Sequence, residues 1–576
     1  MPLLPPQANL KRKTLSFWLL VTVAFLPILY VIEHTIEGSR NLPYWDEYDS
    51  ALDFIVGLQR QPSFTDKVTW FLSLSNEHRM LTSRMLFTLE HWLTGKLDFH
   101  FIGFVGNSFL FATCALLIKS MRAPENRLRL LVILAFLIFQ LENYENFLWS
   151  GSSIDHYQVV FLAAGALYFL LNDSKNSFIS ACLFAILANY TLAHGTMVWP
   201  VGGVLLALHK RWKHLYWWAG MGALAMVFFF WDFHTNPGHR VVSFSYDGVA
   251  IVVMYWLKLL GAPIALGGTK LAPVMGAALL CLLGWQLTEN FLRKPRFIAG
   301  LALFATLALL TISVGRAGLY NDGNHIPSRY LILGSLTWAL CLFMLLEQWS
   351  STERPYQLLA WSLPVLIFFN ITANNAYIDR AYSFLEARDR AALRFKQHGV
   401  DGKGVFSLHP GKHRATRVLG DAKDAGIYAM PPICRLKEFS DVELSDQITF
   451  FLDEVDLSPR ALSVRGWAGI PQMKIKRGTI HLLLKSETDT LVFTTVPMFR
   501  PDVSKALTQP GWRYSGFAFS ALRQRIPEGE YELGILINTK GKKHYIMTGR
   551  RISLQDEPAP HQQVAITTHS LHPDTP

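Results

Sequence analysis

The residue types best suited to chemistry lie in a short acidic motif at residues 44–49 (YWDEYD). Its three carboxylates, on Asp46, Glu47 and Asp49, fall within four residues. Two of them could point to one place, as a general base or a divalent-cation site requires. The same pattern fits a solvated acidic loop whose aromatic rings lie among lipid headgroups. From spacing alone, both interpretations stay open.

Two further clusters combine charged groups that could bind an anion. Residues 76–79 (NEHR) place a carboxylate, an imidazole and a guanidinium together, which suits anion binding and proton transfer. Arg316, with residues 324–330 (NHIPSRY), predicts a phosphate clamp at a helix start. The alternatives are a capped surface helix for the first cluster and an arginine that extends from the membrane to water for the second.

Other polar residues fall near the ends of apolar runs. Glu142 and Glu145 (ENYEN) and the pair Asp155-His156 need partners at that depth, although solvation at the interface would also explain them. His194 is more typical of a packed histidine. There is no P-loop, HExxH or GxSxG motif and no cysteine pair with zinc spacing.

Composition identifies the class of protein to which these clusters belong. The 576 residues are 51% hydrophobic and only 17% charged, against about 25% charged in a soluble domain. The mean hydropathy is +0.22. The net charge of +11 does not indicate nucleic-acid binding, because the basic residues of the apolar half cluster in short loops. The chain is predicted to be a polytopic membrane protein.

About eleven membrane spans are expected in residues 1–375, and a long first external loop is expected at 33–98. Three basic loops, around Arg122, Arg211 and Arg296, predict which side is cytoplasmic. Residues 249–268 are apolar enough to span, but a re-entrant or interfacial placement keeps all three loops inside. The expected spans are 15–32, 99–118, 128–141, 156–171, 177–193, 197–208, 215–231, 271–287, 298–314, 330–346 and 357–373.

The C-terminal third has the pattern of a soluble chain. Residues 376–446 are expected to form a helical and loop linker, and alternating hydrophobicity at 447–556 predicts an all-β sandwich. Residues 557–576 are expected to be disordered. Trp467, Trp512 and Tyr514 could stack on sugars, with core packing expected for at least one tryptophan.

The acidic run at 45–47 (WDE), the NEHR motif at 76–79 and the late SRY at 328–330 together resemble the membrane-embedded GT-C glycosyltransferases of bacteria, over about residues 10–400. The resemblance implies a transferase that moves a sugar from a polyprenyl-phosphate donor to a glycan, lipid or protein acceptor. The reaction would occur on the external face of the bacterial inner membrane, with the C-terminal domain extracytoplasmic.

The resemblance also implies roles for individual residues. It points to Asp46, then Glu47, as the base, with Glu77 or Glu142 as a second acidic group. It leaves a metal open: Mg²⁺ or Mn²⁺, if used, would be held from among Asp46, Asp49 and Glu142. The residues that it implies for binding the donor phosphate are Arg329, His325, Arg316 and Arg79.

Three other functions compete with a glycosyltransferase. A polymerase or ligase of lipid-linked O-antigen would place its basic residues in one large late external loop, whereas the longest membrane-proximal loop here is the first and is acidic. A transporter would carry charges in mid-span and an internal repeat. A scaffold that displays the β domain would leave the acidic first loop without a role.

Overall fold

A computed structural model divides the chain into two compact units, Met1–Pro431 and Pro432–Pro576. Both are described below on their own. The residues that the structure describes are 6–234, 242, 245–266, 268, 270–288, 296–319, 326–349, 357–398, 408–430, 436–437, 443–459, 461–475, 479–523, 526–539 and 542–554.

The first unit is helical, and six of its described segments are long and apolar enough to cross a membrane. They are Phe17–Gly38, Phe99–Ser120, Tyr246–Ala265, Phe297–Arg316, Ser328–Trp349 and Gln357–Asp389. This confirms the prediction that the region contains several helices of membrane-spanning length and apolar composition. Many apolar side chains of these helices face outward, as Phe104 and Phe368 do, because lipid can replace protein as their partner.

The helices of this unit follow the apolar runs of the sequence. Serine side chains cap three of them: Ser63 accepts from Asp66 N, Ser174 from Ser177 N, and Ser245 from Gly248 N. The helices are α1 (Pro6–Gly38), α2 (Phe54–Arg60), α3 (Phe64–Leu72), α4 (Leu81–Thr94), α5 (Phe99–Ser120), α6 (Pro124–Ile138), α7 (Tyr144–Leu148), α8 (Ser150–Leu170), α9 (Lys175–Thr191), α10 (Val198–Leu208), α11 (Trp212–Phe230), α12 (Tyr246–Ala265), α13 (Ala272–Gln286), α14 (Phe297–Arg316), α15 (Leu331–Trp349), α16 (Gln357–His398) and α17 (Lys412–Asp424).

Residues 249–268 belong largely to α12, a 20-residue helix that forms a hairpin with α13. The turn between these helices packs beside the start of α15, where Ala265, Ala272 and Leu331 share a small apolar cluster. By length and composition α12 could cross the membrane. Its re-entrant placement therefore stays a prediction.

Two ends of the helical unit can be told apart by their contacts. At one end Glu347 accepts from Arg296 at 2.6 Å and from Asn126 at 2.8 Å, so the start of α14 meets the end of α15 and the start of α6. Arg211 lies near the end of α8, where it donates to Leu170 O. The basic loops lie at ends of these helices, and the 20 residues of α14 separate Arg296 from Arg316.

The expected boundary at residue 375 falls inside α16, which runs without interruption from Gln357 to His398. The helical unit then continues to Pro431. The segment 408–430, which includes α17, packs on the first long loop: Leu97 N donates to Ile427 O at 2.9 Å, and the Tyr428 hydroxyl donates to Asn41 O at 3.0 Å. Much of the expected linker is therefore part of the helical unit.

The second unit contains two β-sheets around a shared apolar core, to which both sheets contribute residues such as Phe493 and Phe519. The sheet orders are β1-β6-β5-β9-β10-β2 and β3-β4-β8-β7. The tail at 557–576 lies outside the described residues. The strands are β1 (Leu436–Lys437), β2 (Glu443–Leu444), β3 (Thr449–Leu457), β4 (Ala461–Gly469), β5 (Ile480–Lys485), β6 (Thr490–Thr494), β7 (Val496–Met498), β8 (Gly516–Leu522), β9 (Gly529–Thr539) and β10 (Lys542–Leu554), with α18 (Pro501–Ala506) between β7 and β8.

Candidate functional site

A cavity of about 470 Å³ lies in the helical unit, away from the basic loops. It collects the ends of α9, α11 and α14, the starts of α8 and α15, and two segments of the long loop after α1. Its lining contains both charges and imidazoles, a combination typical of a site that binds a polar ligand. The polar lining includes Asp46, Glu77, Asp155, His156, Arg316 and Arg329.

Asp46 reaches this cavity from a sharp bend in the acidic motif. The preceding Trp45 has a φ of +48°, a left-handed conformation that is uncommon outside glycine. Its backbone N–H donates to Leu408 O at 2.7 Å, which fixes the bend. Burial raises the pKa of Asp46, and the positive charges of Arg329 and Arg316 pull it partly back. Asp46 is exposed in the cavity, so its carboxyl group is within reach of a ligand and in the field of two arginines.

Glu47, the alternative base, also lines the cavity, and its carboxylate is held by several hydrogen bonds. It is buried, and it accepts from Tyr44 N at 2.6 Å, from Gly151 N at 2.5 Å and from the Ser150 hydroxyl. A Cβ on Gly151 would lie 2.9 Å from its side chain, so only glycine permits this approach. Burial raises the pKa of Glu47 to about 7 despite these bonds and the nearby Arg388. Glu47 ties the acidic motif to the start of α8.

Arg329 lies at the entrance to α15 and is held from several directions. Its backbone N–H donates to Glu145 Oε2 at 2.9 Å, and its Nη1 lies 3.4 Å from both oxygens of the same carboxylate. Asn146 Nδ2 donates to Arg329 O at 2.9 Å. The guanidinium also contacts the rings of Trp149 and Tyr330, at 5.7 and 4.9 Å from their centroids. The ENYEN segment therefore positions this arginine.

Arg316 and Glu77 meet across the cavity. Arg316, at the end of α14, places Nη2 3.4 Å from Glu77 Oε2. Glu77 lies in a tight turn, in which Ser75 and His78 exchange two backbone hydrogen bonds of 2.8 and 3.1 Å. The pair is mostly shielded from water, so it is screened less than a surface pair would be. The cavity thus contains two arginines among four carboxylates, those of Asp46, Glu47, Glu77 and Asp155.

Arg79, which the resemblance implied for binding the donor phosphate, is not among the residues that line this cavity. Its Nη1 donates to Leu72 O, and its Nη2 donates to Phe228 O and Phe229 O, the final carbonyls of α11. It also pairs with Asp232. A cation on these orphan carbonyls stabilises the helix end. Its neighbours in the sequence, Glu77 and His78, face the cavity instead.

The three candidate metal ligands do not come together. Asp46 faces the cavity, whereas Asp49 points towards α17, where it pairs with Arg414 and lies 3.3 Å from His409 Nε2. Glu142 is fully buried and accepts from Gln140 Nε2 at 2.9 Å. Across the described ranges, no group of three His, Cys, Asp or Glu side chains could hold a metal ion. His325 lies outside the described residues.

Three imidazoles and a buried carboxylate complete the polar lining. Asp155 accepts from the Ser83 hydroxyl at 2.5 Å, and His156 and His194 lie 6.2 Å apart between ring centroids. His78 Nδ1 accepts from Ala193 N at 3.2 Å. The sequence placed Asp155 and His156 at the end of a span but gave no sign that they share a cavity with residue 46. His194, expected to be packed, lines the same cavity.

The turn that carries His194 depends on one glycine. A Cβ on Gly195 would lie 2.0 Å from Ala188 O, so the chain can return against α9 only without a side chain there. The remaining cavity wall is apolar and comes in part from the end of α11. Its members include Met80, Leu192, Met197, Met226, Phe229, Phe230, Phe233, Ile312 and Val314.

In the β unit, the candidate stacking residues are mostly used for packing. Trp512 is buried, and its Nε1 donates to Ile470 O at 3.1 Å. Trp467 packs on the core, 6.2 Å from the Trp512 ring. Tyr514 contacts Phe499, with 5.7 Å between ring centroids. The expectation that at least one tryptophan serves the core is confirmed by Trp512.

Comparison of the chain with protein-family models, with curated proteins and with solved structures gives no match. The functional argument therefore depends on the cavity itself. Its distinctive features are the carboxyl group of Asp46, whose pKa is raised, the arginines Arg316 and Arg329 that act on it, and an apolar wall to which α11 contributes.

Proposed function

We propose that this protein is a membrane-embedded glycosyltransferase that uses a polyprenyl-phosphate sugar and acts on a glycan, lipid or protein acceptor. One observation carries the proposal: Asp46 shares a cavity with Arg316 and Arg329 and is electrostatically coupled to both. Transfer from a phosphate-linked sugar needs a base on one side of the anomeric carbon and positive charge on the other.

Two arginines suit the leaving group of this reaction. When the bond between the anomeric carbon and phosphate oxygen breaks, its electron pair leaves with the phosphate. Negative charge then develops where Arg329 and Arg316 supply N–H donors. Arg329 is held by Glu145 and two rings, so little reorganisation is needed when that charge appears.

Asp46 is the favoured base. In the proposed step the acceptor hydroxyl forms the new bond to the anomeric carbon and gives its proton to the Asp46 carboxylate. Burial raises the pKa of Asp46 and makes its carboxylate a stronger base than one in water. Glu47 is a poorer choice, because its oxygens already accept three hydrogen bonds.

The apolar wall fits the lipid part of such a donor. A polyprenyl chain carries no hydrogen-bonding groups, and Met226, Phe229 and Phe233 offer a surface that needs none. A phosphate bound between arginines and a chain lying on this wall would occupy one continuous cavity. The same pairing of charge and apolar surface gives no advantage to a small soluble substrate.

Orientation follows from the basic loops. They lie at the end of the helices opposite the cavity, and the positive-inside rule assigns them to the cytoplasm. The cavity would then open towards the external face of the bacterial inner membrane, with about eleven spans below it. We assign the two-sheet unit as an extracytoplasmic β-sandwich that binds the acceptor or acts as a scaffold.

The test is an assay of the purified protein, reconstituted in lipid nanodiscs, with undecaprenyl-phosphate carrying different hexoses or pentoses. Asp46→Asn should lower donor consumption by about 10²- to 10⁴-fold, the usual effect of losing a general base. The matched control is Asp49→Asn, three residues away but turned towards α17. No consumption of any donor by the wild type, or full activity in Asp46→Asn, would contradict the proposal.

A further inference from the structure

Five planar groups form a continuous row along one side of the cavity, in the order Trp149, Arg329, Tyr330, His156 and His194. The Arg329 guanidinium lies 5.7 Å from the Trp149 ring and 4.9 Å from the Tyr330 ring. The His156 ring follows at 5.7 Å from Tyr330, and His194 at 6.2 Å from His156. All five residues line the cavity. We call this set the planar row.

The protonation of His156 in this row is fixed by the backbone. Its Nδ1 lies 3.1 Å from Ser152 O, and a carbonyl oxygen can only accept, so Nδ1 carries the proton. In the neutral ring, Nε2 then presents a lone pair. Within the described part of the chain, the bond to Ser152 is the single hydrogen bond of this imidazole. His156 therefore offers the cavity a hydrogen-bond acceptor.

Two further members of the planar row carry buried polar atoms that make no hydrogen bond to the residues that the structure describes. Trp149 and His194 are each only 4% exposed. The Trp149 Nε1–H donor and the His194 Nε2 atom have no hydrogen-bond partner among the residues that the structure describes. Buried polar atoms are nearly always paired, so such atoms in a cavity wall indicate the position of a ligand.

We propose that the planar row binds the sugar of the donor, with Arg329 holding the adjoining phosphate; this inference rests on the function proposed above. One hydroxyl group of a ligand can accept from Trp149 Nε1–H, and another can donate to His156 Nε2. A phosphate oxygen can only accept. The ligand class that suits the row on either side of Arg329 is thus a neutral ring bearing several hydroxyls.

The charged residues of the cavity also favour a ligand whose sugar and phosphate are bound by different groups. Arg316 lies on another segment and can join Arg329 on the phosphate, whereas the carboxylates of Asp46 and Glu77 cannot bind an anion. The imidazoles of the row do not form a metal site, because the described residues contain no group of three potential ligands close enough to hold an ion. A hydroxyl-rich group remains the partner that satisfies both a donor and an acceptor.

The experiment compares two lipids, undecaprenyl phosphate and undecaprenyl phosphate bearing a single sugar, with glucose, mannose, galactose, N-acetylglucosamine and arabinose tested in turn. Dissociation constants are measured for the full chain in nanodiscs. We expect the wild type to bind one sugar-bearing lipid more tightly than the bare lipid. His156→Phe should bind that sugar-bearing lipid roughly tenfold more weakly than the wild type does, as expected for the loss of one hydrogen bond in a buried site.

The variants separate recognition from folding. His156→Phe should bind the bare lipid like the wild type, and His156→Gln, whose amide reaches the position of Nε2, should recover most of the gain. If His156→Phe does not fold, Trp149→Phe, which removes the indole N–H, is measured in the same way and should lose a similar part of the gain.

Three results would contradict the inference. If the wild type gains nothing from any sugar, or the variant that folds keeps the full gain, the planar row does not bind the sugar, and the proposed function is unaffected. If the wild type binds neither the bare lipid nor any sugar-bearing lipid, the proposed function fails, and the inference fails with it.

Discussion

Glu145 holds Arg329 through both its main chain and its side chain. One carboxylate oxygen accepts from the backbone N–H at 2.9 Å, and both oxygens lie 3.4 Å from Nη1. Ser328 adds a second connection, since its hydroxyl donates to Glu142 O at 2.6 Å. Two segments 184 residues apart are thus joined at the cavity wall, so the direction of the arginine is set before any ligand arrives.

The first prediction concerns this positioning carboxylate. Glu145→Gln keeps an oxygen for the backbone N–H but removes the charge, so we expect about a tenfold loss in kcat/KM, as for one charge-assisted hydrogen bond. Combining it with Arg329→Lys should give less than the sum of the two losses, because both changes act on one unit. Glu347→Gln, which breaks the Arg296 pair at the opposite end, is the control and should stay within about twofold. Equal losses in both glutamine variants would rule out a specific role for Glu145.

The second prediction concerns the phosphate clamp itself. Arg329→Lys keeps a positive charge but loses the planar fork and its stacking on Trp149 and Tyr330. We expect about a tenfold loss in kcat/KM for Lys and about a hundredfold loss for Ala, measured by donor consumption. Wild-type turnover by both variants would mean that this arginine serves only as a membrane-boundary residue.

The third prediction is a pH dependence. Asp46 must be deprotonated to act as a base, and burial raises its pKa above the ordinary value of 3.8. Activity should therefore fall as the pH decreases, with a midpoint above 3.8, when kcat/KM is measured from pH 4 to 8. In Asp46→Asn this acidic limb should vanish from the residual activity. A wild-type profile with no loss of activity down to pH 4 would argue against this carboxyl group as the base.

The fourth prediction concerns the contact between Asp49 and His409. Burial alone would raise the pKa of Asp49 and lower that of His409. Their hydrogen bond, together with Arg414 beside Asp49 and the Gly411 carbonyl beside His409, outweighs burial, so the pKa of Asp49 is lowered and that of His409 is raised. A histidine with a raised folded-state pKa contributes stability that is complete below its unfolded pKa and is lost as the pH rises through the folded one. Hydrogen-exchange protection of residues 408–430, corrected for intrinsic rates, should therefore fall between pH 6 and pH 8.5. His409→Gln should show no such fall, and an unchanged wild-type profile would contradict the assignment.

The fifth prediction concerns orientation. A reporter fused after residue 560 should be active on the external side of the inner membrane, because the basic loops lie at the end away from the cavity. Paired fusions of alkaline phosphatase and a cytoplasmic fluorescent protein would measure this. Fluorescence without phosphatase activity would reverse the topology and would mean that the stretch at 249–268 crosses the membrane.

Much of the helical architecture could be predicted from hydropathy, because a long apolar run in this composition has few folds other than a membrane helix. The period of two likewise predicted β4, β5 and β9. What hydropathy could not give was the continuity of α16 past residue 375, since its polar half reads as a separate soluble helix. The polar half of α16 belongs to the helical unit because Arg388 donates hydrogen bonds to Leu42 O and Leu148 O.

Within the site, residue type predicted candidates but not the direction of their side chains. Neighbours in one short motif make different contacts. Asp46 and Glu47 both line the cavity, but Glu47 is also tied to α8; Glu77 faces the cavity, whereas Arg79 caps α11. A single bend decides each case, and local sequence does not specify that bend. The contact of Glu145 with Arg329 was equally hidden, because it depends on how α7 meets the start of α15.

The hydrogen bond from Trp45 N to Leu408 O has a consequence for the order in which the protein is made. The acidic motif leaves the ribosome early, but the partner of its bend is translated more than 360 residues later. During synthesis the nascent chain must therefore insert all its apolar helices while the residue proposed as the base is still without its final backbone support. The bend that carries Asp46 gains this support only when Leu408 has been made, after the apolar helices of the membrane part.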